Sequence, residues 1–293
     1  MPIKHSGLDR FIVVLNAIFL TLAVLIIILP LIYVVIASFM DPSVLLSKGL
    51  SFNLSDWSLE GYVKILSNPA MIRGFGNSVL YSVSFAIITV LVSICAGYAL
   101  SDERLKGKGF FMTLFIITMF FGGGLIPTYL LVKNLGLLDT IWAVIIPGAV
   151  NVWNIILSRT FFKGVPNEMK EAANVDGASE MRIFFSVVLP LSKPIVFVLA
   201  LYAFVGQWNA YFDAMIYLDN PNLHPLQLVL RSILIQNQVD PGMISDQLAM
   251  AEMKRLSEII KYAAIVVSSL PLIVMYPFFQ KYFEKGVMVG SLK

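Results

Sequence analysis

The chain has 293 residues, of which 58% are hydrophobic and 13% are charged, and its formal net charge at pH 7 is +3. A mean hydropathy of +0.83 lies outside the range of soluble globular domains, so the composition predicts a polytopic membrane protein. The small positive charge is typical of membrane insertion and does not indicate a nucleic-acid partner, so we expect none. The single cysteine, Cys95, excludes an intramolecular disulfide and a cysteine-based zinc cluster.

Six apolar segments follow one another along the chain. Each contains a charge-free run long enough for a helix to cross roughly 30 Å of hydrocarbon at about 1.5 Å per residue. We therefore predict an all-α protein that forms one transmembrane domain over residues 1–293, with six spans at about 11–39, 77–100, 110–132, 140–162, 194–217 and 259–283.

The distribution of Lys and Arg predicts the orientation of these spans. The segments that are cytoplasmic when both chain ends lie inside carry more Lys and Arg than the outer segments, although the outer segments are longer. Because positive residues are enriched in the cytoplasmic loops of membrane proteins, we expect both termini in the cytoplasm. The segment 163–192, between the fourth and fifth spans, is then cytoplasmic as well.

Two segments contain local structural signals. Residues 57–66 place apolar side chains at helical spacing, with Asp56 as the expected N-cap. They predict a short surface helix that either anchors the membrane interface or contacts an external partner. Three glycines at 122–124, followed by Pro127, predict a break in the third span. Such a break either lines a cavity or is relieved by neighbouring helices.

Polar and aromatic side chains cluster near the end of the fifth span. They are Gln207, Trp208, Asn209, Tyr211 and Asp213. An aromatic ring offers a flat apolar face to a sugar, and an amide both donates to and accepts from hydroxyl groups. Two interpretations remain open: the group lines a substrate pathway, or Gln207 and Asn209 bond to a neighbouring helix while Asp213 lies at the outer interface.

A polar string lies in the segment 163–192 of this otherwise apolar chain. Its alanines favour a helix that another protein can approach closely, and its glycine allows the helix to end and the chain to turn. The spacing therefore predicts helix, turn, helix. On spacing alone, a docking helix and an ordinary solvated loop with caps both remain open. The residues concerned are Glu171, Ala172, Ala173, Asp176 and Gly177.

This string, continued to Leu189-Pro190, resembles the EAA loop of ABC importer permeases. In that family the loop forms a cytoplasmic coupling helix that docks into a cleft of the ATPase subunit. The resemblance implies a type I importer permease architecture in which the five residues just named contact the ATPase. The segment 163–192, hereafter the EAA loop, is then the coupling loop.

Further strings resemble the carbohydrate group of that family, typified by the second permease of maltose importers. They run from Phe120 to Tyr129 and from Leu135 to Thr140, and the tail from Lys285 to Ser291 is similar to the C-terminus of that group. The first string and Pro225-Leu226-Gln227 look most like a branch associated with oligo- and polysaccharides, and are similar to the second permease of alginate importers. The resemblance implies sugar import across a bacterial inner membrane.

The resemblance also implies the partners and the mechanism. The partners are a second homologous permease, a dimer of ABC ATPases, an extracytoplasmic solute-binding protein, the carbohydrate and membrane lipid. Closure of the ATPases would move the EAA loop and drive alternating access. The chain contains no Gly-x-x-x-x-Gly-Lys-Ser/Thr string for nucleotide phosphates, so we expect ATP and Mg²⁺ to be bound by the ATPase. Its two histidines lie outside the spans and no nucleophile, base and acid come together in the sequence, so we expect no metal, cofactor or catalytic residue in this chain.

An ion-coupled secondary transporter of a small solute is the alternative class. Such proteins place ionisable groups within their spans to couple ion movement to transport. The six predicted spans are nearly free of these groups, apart from Asp213 and Lys261 near the outer ends. The sequence therefore favours an energy source outside this chain.

Overall fold

A computed structural model of the chain describes residues 7–236 and 247–290. These residues are almost entirely helical, and the extended pairing among them is an isolated bridge between Met40 and Trp57. The all-α prediction is confirmed. Both chain ends, including Ser291 of the tail string, lie outside the described residues, as do residues 237–246 of the predicted outer loop before the sixth span.

Helices make up most of the described chain. In chain order they are α1 Gly7–Ser38, α2 Pro42–Lys48, α3 Glu60–Ser67, α4 Pro69–Ser101, α5 Lys108–Phe120, α6 Leu125–Asn134, α7 Trp142–Ala149, α8 Val152–Lys163, α9 Asn167–Val175, α10 Glu180–Leu191, α11 Lys193–Asn209, α12 Phe212–Tyr217, α13 Leu226–Gln236 and α14 Gln247–Gly290. Short 3₁₀ turns lie at Leu54–Asp56 and Pro221–Leu223. Within α10, Phe184–Val188 is a π-helical segment.

The helices of membrane-spanning length fall into two kinds. α1, α4 and the part Ile260–Gln280 of α14 are long and apolar enough to cross a membrane unbroken. Three pairs reach that length only together and are bent, α5 with α6 by 112°, α7 with α8 by 48°, and α10 with α11 by 79°. The described helices therefore provide up to six spans, if each bent pair counts as one.

The break predicted in the third span is confirmed. α5 ends at Phe120, and Gly124, with a φ of +83°, immediately precedes α6. Glycine adopts this left-handed conformation without the steric cost that a Cβ atom brings. The glycine string therefore ends one helix and starts the next.

The fourth and fifth spans contain breaks that the apolar pattern does not predict. Asn151 separates α7 from α8: its backbone is extended, and its side chain accepts a hydrogen bond from the Asn154 N–H at 3.1 Å, which caps α8. α11 ends at Asn209, and an extended Ala210 precedes α12. Apolar composition does not reveal such local caps, so both segments differ from the continuous helices expected.

The predicted surface helix, α3, lies in the first of two structural units, which comprises Met1–Asn68 and Ser232–Ser269. The Ser58 hydroxyl, rather than Asp56, accepts a hydrogen bond from the N–H of Glu60, the first residue of α3, at 3.2 Å. The prediction that Asp56 caps this helix is wrong, because Asp56 lies in the preceding 3₁₀ turn.

The second unit comprises Pro69–Arg231 and Leu270–Lys293, and within it α4 packs along α7, α8 and α11. The approach of α4 to α8 is close at Gly97, where an added Cβ atom would lie 2.9 Å from the Arg159 nitrogen and closer still to the Ser158 hydroxyl. The fully buried Ser158 hydroxyl donates to the Ser93 carbonyl of α4 at 2.7 Å. This contact fixes one helix against the other.

The EAA loop is joined to the core of this unit through α10. Ile183, Phe184 and Val188 are buried in one apolar cluster with residues of α4, α8 and α11. A π turn brings residues five positions apart onto the same side of a helix. The π-helical segment thus lets Ile183 and Val188 enter the same cluster, which anchors the second half of the loop.

Candidate functional site

The EAA loop folds as helix, turn, helix, as its spacing predicts. α9 ends before Asp176, and Gly177 has a φ of +75°. The Gly177 N–H donates to the Asn174 carbonyl and the Ala178 N–H donates to the Ala173 carbonyl, both at 3.0 Å. These two bonds form a Schellman cap, in which the left-handed position favours glycine. The prediction that Gly177 ends the helix is confirmed.

Most residues of the loop around this cap are exposed. Ala173 differs, because it packs half-buried against the apolar cluster that anchors α10. Val175 was not singled out by the sequence pattern, although 88% of its surface is exposed. An apolar residue within a polar string was the available signal for it. The exposed positions are Glu171, Ala172, Asn174, Val175, Asp176 and Gly177.

Ion pairs beside the EAA loop connect the end of α4 to the start of α10. The Arg104 guanidinium donates to both carboxylate oxygens of Asp102, at 2.9 to 3.2 Å, and to Glu180 at 2.7 Å. The Tyr98 hydroxyl donates to Glu180 at 3.4 Å. These four residues, hereafter the polar junction, border a cavity of about 260 Å³ that Glu171 of α9 also lines.

Asp102 and Arg104 of the polar junction favour their ionised forms. Hydrogen bonding to Arg104 lowers the pKa of the Asp102 carboxyl below its usual value, and hydrogen bonds to Asp102 and Glu180 raise the pKa of the Arg104 guanidinium. A carboxyl with a lowered pKa contributes stability above the pKa of the unfolded chain, and this contribution is lost as the pH falls through the lowered pKa. The Asp102–Arg104 pair is therefore fully formed at neutral pH and weakens only in acid.

A second cavity, of about 350 Å³, is lined by residues of α4, α7, α8, α11 and α12 and is hereafter the amide cavity. Its polar lining includes three amides, and its apolar lining includes three aromatic rings. Two of the rings, Trp153 and Tyr202, are 60% and 54% exposed. The amides belong to Asn151, Asn154 and Gln207, the rings to Phe85, Trp153 and Tyr202, and the carboxylate to Asp213.

Two of the five residues predicted at the end of the fifth span line this cavity. They are Gln207 and Asp213. The Gln207 amide also donates to the Val144 carbonyl of α7, at 3.3 Å. Gln207 therefore both lies on the cavity wall and bonds to a neighbouring helix, the two roles that the sequence left as alternatives.

The other three residues lie elsewhere. Trp208 is fully buried, with its ring packed against two phenylalanine rings. The Asn209 amide donates to the Val205 carbonyl one turn earlier, at 2.9 Å, and the Tyr211 ring lies 4.9 Å from the Arg231 guanidinium. None of the three lines the amide cavity. Because α11 ends at Asn209, the helical spacing assumed across this group does not continue to its last members.

Sequence reasoning missed residues in both regions. Asn151 and Asn154 lie three positions apart in an apolar span, and this spacing of two amides was a usable signal. The pairing of Arg104 with Glu180 joins residues 76 positions apart, and no local pattern indicates it.

The chain belongs to the family described as binding-protein-dependent transport system inner membrane component, which it matches over residues 109–289. The matched range exceeds half of the chain and includes the whole EAA loop. It defines an ABC importer permease of the type I fold, and the resemblance of the EAA string to this family is confirmed. A permease of this family is the membrane subunit of its transport system and is not itself the catalytic component.

Close relatives extend over almost the entire chain. Protein LplC of Bacillus subtilis (strain 168) is 37% identical over 96% of this chain and 94% of its own length. The polygalacturonan/rhamnogalacturonan transport system permease protein YtcP of the same strain is 39% identical over 94% of this chain and 96% of its own length. The match therefore covers the amide cavity as well as the EAA loop.

A solved structure shares the fold. It belongs to a bacterial ABC transporter involved in the import of the acidic polysaccharide alginate, and one of its chains superposes with a TM-score of 0.84 at 31% identity. The likeness covers 95% of this chain and 99% of that chain. The predicted permease fold is confirmed by this similarity together with the family match.

Proposed function

We propose that the chain is one permease subunit of an ATP-driven importer of carbohydrate, specifically of oligo- or polysaccharide. The observation that carries the proposal is the capped helix α9, whose exposed Glu171 and Ala172 lie between the polar junction and the Gly177 turn. A short, capped and exposed helix at this position suits docking into an ATPase. The names of the relatives and of the solved transporter support carbohydrate as the substrate class.

In this proposal, displacement of α9 by the ATPase reaches the spans by two routes. The buried route runs from Ile183, Phe184 and Val188 into α4, α8 and α11. The charged route runs from Glu180 through Arg104 to the end of α4. A close-packed core transmits a displacement rather than absorbing it. Movement of the EAA loop would therefore tilt these helices and switch the pathway between outward and inward access.

The rest of the assembly would be a second homologous permease, a dimer of ABC ATPases that binds ATP and Mg²⁺, and an extracytoplasmic solute-binding protein. Exposed apolar surface supports this assembly: the most apolar window of α1 is entirely unburied, and α5 has no buried residue. Such faces require lipid or another membrane subunit. In this arrangement both termini are cytoplasmic, and the EAA loop faces the ATP-containing side of a bacterial inner membrane.

The amide cavity would form part of the substrate pathway, with Gln207 and Asp213 on its wall. Its volume of about 350 Å³ falls within the roughly 300–1,000 Å³ of small-molecule sites. Amide groups bond to hydroxyls as both donor and acceptor, and aromatic faces pack against the C–H face of a sugar. Trp208, Asn209 and Tyr211 would support this wall rather than contact the substrate.

Reconstitution tests the proposed function. The chain is assembled in liposomes with its second permease and ATPase, and ATP hydrolysis is recorded with a solute-binding protein loaded with candidate saccharides. We expect Glu171→Lys to abolish saccharide-stimulated hydrolysis and uptake while the subunit still inserts. Asp219→Lys, a charge reversal at an exposed acid that lines neither cavity, serves as the matched control. Normal coupling in Glu171→Lys, or uptake driven by an ion gradient without ATP, would contradict the proposal.

A further inference from the structure

The charge on the wall of the amide cavity is negative and comes from one residue. Asp213 is the single ionisable acid or base that lines it, and the remaining polar lining is neutral, from amides, a threonine and a tyrosine. The Asp213 side chain is exposed rather than enclosed in the protein interior. Any ligand in the cavity therefore meets a carboxylate on a neutral, partly aromatic wall.

No described cation neutralises this carboxylate. Arg231, on α13, is engaged elsewhere, because its guanidinium lies over the Tyr211 ring and donates to the Met215 sulfur. Elsewhere in the part of the chain that the structure describes, Glu60, Asp102 and Glu180 each lie within 2.9 Å of a Lys or Arg side chain. Asp213 is not among them, so its charge acts on whatever enters the cavity.

We propose that the amide cavity takes an uncharged sugar unit and disfavours a uronate, with Asp213 as the residue that sets this preference. The inference rests on the proposed function and names the substrate class of the same site. A carboxylate accepts hydrogen bonds from sugar hydroxyls, and the amides of Asn151, Asn154 and Gln207 complete a neutral polar set. A second carboxylate on the sugar would lie beside Asp213 without a basic partner from this chain, and like charges at short distance repel.

The proposed preference for neutral sugar units differs from the acidic polymers named for two similar transporters. The solved relative imports an acidic polysaccharide, and YtcP is named for polygalacturonan and rhamnogalacturonan. A carboxylate-bearing polymer on this pathway would need its charge balanced by the second permease or by a cation. The lining that this chain supplies is suited instead to neutral units packed against Trp153 and Tyr202.

A cysteine probe in the cavity measures its charge directly. Gly206 lines the cavity, and an added Cβ atom there meets no atom within 4 Å, so Gly206→Cys introduces a thiol without a clash. The native Cys95, which is exposed, is first replaced by serine. The assembled permease–ATPase complex is then treated with cationic and anionic methanethiosulfonates, and each rate is divided by the rate with a free thiol in solution.

We expect the cationic reagent to react about tenfold faster than the anionic one, since a tenfold ratio corresponds to a modest Coulomb term near a single carboxylate. Asp213→Asn should remove this ratio and Asp213→Glu should keep it. Asp219→Asn, an acid outside the cavity, is the matched control. Equal rates for the two reagents in the native cavity, or a ratio unchanged by Asp213→Asn, would overturn the inference, and the first of these results needs no Asp213 variant.

Protection by saccharides tests the substrate class. A neutral hexose oligosaccharide should slow labelling of Gly206→Cys, whereas a hexuronate oligosaccharide of equal length should protect about tenfold less well, with the gap closing in Asp213→Asn. Equal protection by the uronate would overturn the preference. A charge ratio that depends on Asp213, with protection by neither saccharide, would instead refute the assignment of this cavity to the pathway. Because labelling requires no transport, these outcomes are separate from failure of the reconstituted ATPase assay.

Discussion

The polar junction and the amide cavity lie in the same structural unit and both contain carboxylates, but they treat charge in opposite ways. At the junction, Asp102 and Glu180 share the Arg104 guanidinium at hydrogen-bonding distance, on an exposed surface. In the cavity, Asp213 stands among amides and aromatic rings without a basic lining residue. The chain thus uses paired charges where it would be moved by an ATPase and an unpaired charge where it would select its substrate.

We expect the largest effect from a change in α4, because this helix contributes residues to both the polar junction and the amide cavity. Gly97→Val would place a side chain against the Arg159 backbone and the Ser158 hydroxyl, a more severe form of the overpacking that typically costs about 1–3 kcal/mol. We expect this variant to disrupt both the polar junction and the amide cavity. The yield of inserted protein and the melting temperature of the complex should both fall. Gly76→Val, where an added Cβ meets no atom within 4 Å on the same helix, should retain both.

The next effect should separate the two regions. Gly177→Val forces a β-branched residue into the left-handed backbone at φ +75°, which costs on the order of 1–2 kcal/mol. We expect loss of saccharide-stimulated ATP hydrolysis, with unchanged thiol labelling at Gly206→Cys in the cavity. Gly109→Val is the control, because Gly109 has neither a positive φ nor a close neighbour. Altered cavity labelling in Gly177→Val alone would mean that the two regions are not separable.

A smaller effect is expected at the polar junction. Arg104→Glu places three acids together and should lower the saccharide transported per ATP by about twofold to fivefold, since exposed ion pairs contribute little individually. The exchange Arg104→Glu with Glu180→Arg should restore part of the loss. In the unmodified protein, the saccharide transported per ATP should also fall as the salt is raised from about 0.1 M to about 1 M. The Debye length then falls from about 10 Å to about 3 Å, which screens the ion pairs of the polar junction. Full activity of Arg104→Glu would show that the buried route through α10 is sufficient.

The smallest effect distinguishes neighbours on α11. The Asn209 amide bonds to its own helix and does not line the cavity, so Asn209→Ala should leave uptake within about twofold of normal. Gln207→Ala removes a wall amide and its bond to Val144, a net loss of about 1 kcal/mol for the bond alone, and should reduce uptake several-fold. Initial rates of saccharide uptake measure both. Equal effects of the two variants would contradict the assignment of the cavity wall.

The sequence predicted those features whose causes are local. The Gly177 turn and the break at Gly124 require left-handed glycines, and the residue types signal them. The start of α8 depends on the Asn151 cap, and the end of α11 on the extended backbone at Ala210, and an apolar count registers neither. The Arg104–Glu180 pair and the cavity wall depend on how distant segments pack, so only the three-dimensional arrangement separates Asp213 from Asn209. The EAA string was informative because its signal is contained within one short segment.

The π-helical segment at Phe184–Val188 has a consequence for changes in chain length. An ordinary α-helix turns by about 100° per residue, so inserting or deleting one residue rotates everything beyond it. A π turn already holds one residue more than an α-helical turn. Deletion of a residue here would convert the π turn to regular helix and keep Ile183 and Val188 on the same side. The helix α10 therefore tolerates the loss of one residue within this segment better than the gain of one. A loss keeps the EAA loop in its orientation relative to the spans, whereas a gain rotates it.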